Sequence, residues 1–118
     1  MKRLKILIPS LREKKRYIAF QVIHEKGEDF SYSDMESALW DAMLDFYGEL
    51  GVSQTSVWLM KDLWNEKRKI GILRCNHKSV QKVIASLGLI ERLGDTRVTF
   101  KILKVSGTIK SIKEKVRL

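Results

Sequence analysis

At 118 residues the chain has the length of one domain, large enough to bury about two-thirds of its unfolded surface without metals or disulfides. Hydrophobic residues make up 44% of it and include three tryptophans, which excludes a disordered tail protein even though 31% of the residues are charged. Its net charge of +9 points to a polyanionic partner.

The chain begins with a basic arm, residues 1–15, closed as an extended segment around Pro9. The apolar run within it, Ile6-Leu7-Ile8, is far too short for a signal-peptide core. Residues 1–16 carry a net charge of +6. Arg16 to Ile23 alternates as a strand, with Ile18, Phe20 and Val22 on one face and Tyr17, Ala19 and Gln21 on the other. A charged loop, residues 24–32, follows and shows no motif.

Ser33 and Glu36 have the spacing of a capping box and predict a long helix that ends near Gly48 or Gly51. Met35, Leu39, Ala42, Phe46 and Leu50 form its expected core stripe, and Asp34, Asp41, Asp45 and Glu49 run along one side. This acidic middle, residues 17–60, is net −7. Val57–Trp64 and Ile70–Cys75 read as strands of a hairpin turned by residues 65–69. Asn76 is placed to cap a second helix reaching about Ser86, with Gly88 as its stop. Leu89–Leu93 and Arg97–Val105 flank Gly94-Asp95 as another hairpin, and residues 106–117 carry Ile109, Ile112 and Val116 on one face of a last helix. Residues 61–100 and 101–118 are each net +5, so both ends of the chain are basic around an acidic centre.

The order β-α-β-β-α-β-β-α is the split βαβ pattern with an added hairpin strand and a terminal helix. It predicts one α+β domain over residues 1–118, a ferredoxin-like sandwich like that of RNA-recognition modules, with an antiparallel sheet and both long helices on one face. Metabolite-sensing domains and many enzymes share that architecture, so function has to come from the residues. No apolar run approaches the roughly 20 residues of a membrane span. Cys75 is the only cysteine, which precludes an internal disulfide and fits a reducing, cytoplasmic setting.

No catalytic constellation is evident. The acidic stripe of the first helix reads as a solvated face or a contact for a basic partner. Cys75, His77 and His24 are too few for a structural zinc site, and Cys75 at the end of an apolar strand reads as a small core residue. Neither a dinucleotide-binding fingerprint nor a Walker loop occurs. We therefore expect no catalytic residues, no metal ligands and no cofactor held by the protein.

The binding signals are stronger. Arg3, Lys5, Arg12, Lys14, Lys15 and Arg16 can track a phosphate backbone, each neutralised phosphate adding salt-dependent affinity. Arg74, His77 and Lys78 fall where a strand meets a helix N-terminus, and Lys110 and Lys113 lie on the terminal helix opposite its apolar stripe. Lys69-Ile70-Gly71-Ile72-Leu73-Arg74 lacks the stacking rings of the RNA-recognition signature, so backbone and shape recognition of RNA is expected. The first helix is apolar over an over-wide arc: Trp40, Leu44 and Tyr47 flank its core stripe and suit a protein partner.

Three segments carry a family resemblance: Pro9-Ser10-Leu11-Arg12-Glu13-Lys14-Lys15-Arg16-Tyr17-Ile18-Ala19-Phe20, Gly71-Ile72-Leu73-Arg74-Cys75 with His77, and Val105-Ser106-Gly107-Thr108-Ile109. Together they resemble the archaeal ribonuclease P component 2 family, related to the eukaryotic processing-of-precursor subunits, over essentially the whole chain. The resemblance implies an accessory subunit of the ribonucleoprotein endonuclease that removes the 5′ leader of precursor transfer RNA. The RNA would be the catalyst, with Mg2+ held by RNA phosphates. Component 2 would support the catalytic domain of that RNA with protein component 3, among other subunits; the flank of Trp40, Leu44 and Tyr47 would then meet either component 3 or a second copy of this chain. Two rivals are a ferredoxin-like metabolite-binding regulatory domain, which leaves the basic arm unexplained, and a non-specific nucleic-acid-binding protein. For DNA, the second helix lacks a preceding helix and tight turn.

Overall fold

The alternation of apolar residues after Arg16 yields the strand around which the rest is built. The computed structural model describes residues 14–25 and 29–116, and in it β1 spans Lys15–His24. Ile18, Phe20 and Val22 are buried on one face and Ala19 on the other, so this strand is apolar on both sides, as a central strand must be. It pairs antiparallel with β3 (Ile70–Asn76) and with β5 (Thr96–Ser106). A two-residue β2 (Trp58–Leu59) extends the sheet beyond β3, and β4 (Arg92–Leu93) pairs with β5 across a turn at Gly94, giving the order β2-β3-β1-β5-β4. Gly94 has φ +64, a left-handed conformation that glycine adopts without a steric cost.

Helices α1 (Tyr32–Ser53) and α2 (Val80–Leu89) pack on the face of Ile18, Phe20 and Val22, where Met35, Leu39, Met43, Val83 and Leu87 complete the larger core. The short helix α3 (Ile109–Val116) covers the opposite face, burying Ile112 and Val116 against Ala19, Ile70 and Ile72. The molecule is thus the expected α+β ferredoxin-like sandwich, with a third helix closing part of the second side of the sheet.

Several local readings are corrected. The capping box is Ser31 with Asp34, two residues earlier than Ser33 with Glu36: the Ser31 hydroxyl accepts from the Asp34 amide at 3.1 Å and the carboxylate accepts from the Ser31 amide at 3.3 Å. Both pairs satisfy the same spacing rule, so the spacing alone does not choose between them. The core stripe of α1 is Met35, Leu39 and Met43; Phe46 and Leu50 are 56% and 74% exposed. Gly48, at φ 72 and ψ 172, breaks the helix, so residues beyond it do not continue the stripe. The predicted strand over Val57–Trp64 shrinks to Trp58–Leu59, followed by a 3-10 turn at Lys61–Leu63. Asn76 is the last residue of β3 and not a cap. Its side-chain amide donates to the Gln54 carbonyl at 2.6 Å, while α2 starts after Ser79 and runs through Gly88 to Leu89.

Candidate nucleic-acid interface

Strand register brings separate basic segments to one end of the sheet. Lys15 lies opposite Asn76 and Arg16 opposite Cys75. The His77 amide donates to the Lys14 carbonyl at 2.8 Å, which fixes the end of the arm against the turn between β3 and α2. Tyr17 pairs with both Arg74 and Ser106, so the turn into α3 arrives at the same edge. A Cβ on Gly107 would stand 3.6 Å from the Arg16 guanidinium. Lys14, Lys15, Arg16, Arg74, His77, Lys78 and Lys110 therefore converge; Lys14, Lys15, His77, Lys78 and Lys110 are exposed, and Arg16 and Arg74 half-buried. Lys113 does not belong to this group, since it lines a groove with Asp62, Trp64 and Lys67 farther along α3. Arg3, Lys5 and Arg12 lie outside the described residues.

The electrostatics of this end follow from sequence. Residues 14–18, 72–78 and 104–110 contain seven Lys or Arg side chains and no Asp or Glu. Among the described residues, the ion pairs are those of Lys69 with Asp29 and Glu66, so none of the converging cations is neutralised by a described carboxylate. Cations of one sign held together on a rigid sheet end raise the local potential and attract a polyanion.

Cys75 points into the α1–α2 core while its neighbour His77 is exposed, so the two do not form a ligand pair. Burial pushes the Cys75 thiol up to about 11, far from the thiolate a nucleophile needs. Among the described residues no group of three or more His, Cys, Asp or Glu side chains is arranged to hold a metal ion. None of the described helices is long and apolar enough to cross a membrane.

The two loops without sequence motifs are joined by a single lysine. Lys69 is buried at the end of the β2–β3 turn with φ +54, an uncommon conformation for a residue with a Cβ. Its ammonium sits 3.0 Å from Asp29, bonds Glu66 and lies 5.0 Å over the Phe30 ring. Burial opposes its charge, but hydrogen bonds from Lys69 to Glu66 and Asp29 outweigh it and hold the ammonium above its ordinary pKa. Those same bonds hold Asp29 and Glu66 below theirs. Sequence reading missed this cluster because its members come from separate loops, and Lys69 looked like one more solvated charge.

On the α1–α2 side, the flank Trp40, Leu44 and Tyr47 divides. Trp40 and Tyr47 are half-buried against the core, with the Tyr47 hydroxyl donating to the Lys82 carbonyl at 3.1 Å, while Leu44 is exposed. The larger exposed apolar surface is next to it: Phe46 and Leu89, with Ala42 and Asp45, line a groove of about 320 Å³, and Leu50, past the break at Gly48, is exposed as well.

These features define a ferredoxin-like α+β module with a cationic sheet end and an uncovered apolar patch on its helical side. The model of the Rpp14/Pop5 family matches residues 16–117, and the chain belongs to that family. It is similar to ribonuclease P protein component 2 of Pyrococcus furiosus, with 43% identity over 111 residues, covering 94% of this chain and 89% of the relative. The proteins of the same name from Thermococcus kodakarensis and Methanothermobacter thermautotrophicus are 40% and 38% identical over 111 and 117 residues. These alignments cover 94% and 95% of this chain, and 89% and 92% of the relatives. In fold, the chain matches one in a cryo-EM structure of yeast ribonuclease MRP with a TM-score of 0.62 at 15% identity, over 89% of this chain and 92% of that one.

Proposed function

We propose that the protein is an accessory subunit of ribonuclease P, the endoribonuclease that removes the 5′ leader of precursor transfer RNA, and that it binds the catalytic domain of the RNA together with protein component 3. The observation that carries this reading is the meeting of Lys14, Lys15, Arg16, Arg74, His77, Lys78 and Lys110 at one sheet end, in a chain whose relatives bear the name ribonuclease P protein component 2. Neutralising phosphates there would hold RNA strands close that otherwise repel each other. Arg3, Lys5 and Arg12 would extend that contact along the backbone, and Lys113 would add a separate point on α3. The protein supplies no reacting group in this scheme: the RNA binds the magnesium ions and performs the cleavage.

The partner surface is the exposed apolar strip of Leu44, Phe46, Leu50 and Leu89, at whose border Trp40 and Tyr47 are anchored. We assign it to component 3, since a strip of this kind next to the acidic residues Asp41, Asp45 and Glu49 offers both apolar contact and charge pairing. Reconstitution tests the whole reading. At moderate magnesium, ribonuclease P RNA should cleave precursor transfer RNA faster when this chain and component 3 are added together, and the protein pair without RNA should not cleave. Cleavage by the RNA-free protein, or no stimulation of the RNA at any protein concentration, overturns it.

A further inference from the structure

One row of residues crosses the α3 side of the sheet without being covered by α3. Trp58 on β2 lies directly opposite Arg74 on β3, and Arg74 directly opposite Tyr17 on β1, so all three side chains leave the same face as neighbours. Helix α3 buries Ala19, Ile70 and Ile72, which lie farther along the strands, and Tyr17 marks the border of that cover. Trp58 is 60% exposed between Val57 and Leu59, both buried. An indole left in water on a strand whose neighbours are all used for packing forgoes the largest apolar burial any side chain offers.

The surroundings of the row say what it would take. Lys15 lies two residues, roughly 7 Å, beyond Tyr17 along β1, and Lys14 is tied to His77 at the corresponding end of β3. Segments 14–18, 72–78 and 104–110 are free of carboxylates. An aromatic ring flanked by a guanidinium, with further cations one phosphate's reach away, matches a nucleotide: base on the ring, phosphate on the cations. A protein partner would meet a charged residue at the centre of the patch, and the two-residue β2 offers little backbone for an added strand.

We infer that Trp58, Arg74 and Tyr17 form a stacking site for a single unpaired RNA base. The inference deepens the RNA-binding reading above and rests on it. The stacking rings stand on the strands flanking β3, outside the segment Lys69–Arg74 where the RNA-recognition signature would place them. Because α3 covers Ala19, Ile70 and Ile72 directly beside the row, the platform holds one base and not a run of them along these strands.

The test uses the full chain with two probes at matched salt, a short single-stranded RNA of mixed sequence and an RNA duplex of equal charge. Trp58→Ala should weaken single-strand binding roughly 5- to 150-fold, Trp58→Phe should retain most of it, and duplex affinity should stay unchanged for both variants. Quenching of tryptophan fluorescence by the single strand should be present in the wild type and largely reduced in Trp58→Phe, because Trp40 and Trp64 are both half-buried. Unchanged single-strand affinity of Trp58→Ala overturns the stacking site, as does an equal loss for single strand and duplex. A changed sedimentation coefficient with RNA binding intact assigns Trp58 to a protein contact, which also overturns it. Loss of binding to both probes in the Lys14→Ala/Lys15→Ala double variant upholds the cationic reading by itself, whereas a wild-type chain that binds neither probe sinks both.

Discussion

Gly71 is the second residue of β3, inside the paired part of the strand where a β-branched residue would be the ordinary choice, and the reason is a ring. Gly71 lies opposite Phe20, and a Cβ there would stand 2.6 Å from the Phe20 ring edge and 3.0 Å from the Trp64 ring. Phe20 is fully buried and also packs on Phe100 at 5.6 Å, so it has no room to retreat. Overpacking of this severity costs about 2–3 kcal/mol, partly offset by the roughly 0.4–1 kcal/mol that alanine saves in the unfolded chain. Gly71→Ala should therefore destabilise by about 1–2.5 kcal/mol. With an unfolding entropy of about 250 cal/mol/K for 118 residues, the melting temperature should fall by about 4–10 °C. A double-mutant cycle with Phe20→Leu gives the mechanism: the combined variant should be destabilised by less than the sum of the two single effects, because the shorter side chain vacates the contested space. A melting temperature for Gly71→Ala at or above that of the parent, or strictly additive effects, would refute the argument.

Replacing Lys14, Lys15 and Arg16 by Ala should lower the log-log salt slope of RNA binding by roughly 0.7–0.9 for each phosphate that is no longer neutralised, and an unchanged slope with unchanged affinity would make this segment a mere solvated end. Trp40→Ala should reduce stability by about 2 kcal/mol as a half-buried core truncation, whereas Leu50→Ser should leave the melting temperature within about 2 °C and weaken capture by component 3. Full capture of the Leu50 variant would exclude that patch. The Lys69 cluster sets a pH dependence on both sides. Its raised pKa contributes stability that is complete below 10.5 and is lost as pH rises through the folded value. The lowered values of Asp29 and Glu66 contribute stability present above 3.8 and 4.5 and lost as pH falls through the folded values. The acid flank should be shallow, since both carboxylates are exposed, and Lys69→Met should flatten both flanks in melts recorded from pH 3 to 11.

Elements with one dominant pattern were legible from sequence. The alternation of β1, the Gly94-Asp95 turn and the Ile112–Val116 stripe of α3 stand where they were expected, because each had a single way to bury its apolar residues. Helix α1 did not. Its apolar residues occupy so wide an arc that two stripes fit the helical period, and the choice of Met43 over Phe46 is made by packing and by the break at Gly48. The basic residues of the arm and of the His77 turn were each singled out from sequence, and the pairing of β1 with β3 brings the two together at the start of β1. The Trp58–Arg74–Tyr17 row was illegible, because its members lie on three strands and only register makes them neighbours.

The central position of β1 also governs when the molecule can form during synthesis. One of its two partners, β5, is the last strand of the sheet: Tyr17 waits for Ser106 and Phe20 for Ile102. Contacts this far apart close slowly, since the intervening chain must be ordered before they reward it. Until residues 96–116 leave the ribosome, a strand apolar on both faces has one edge unpaired and one face uncovered by α3. A nascent or truncated chain lacking that last segment is thus a self-complementary species, prone to pair with its own copies. The faster residues 96–116 follow, the shorter the stage at which the chain is most exposed.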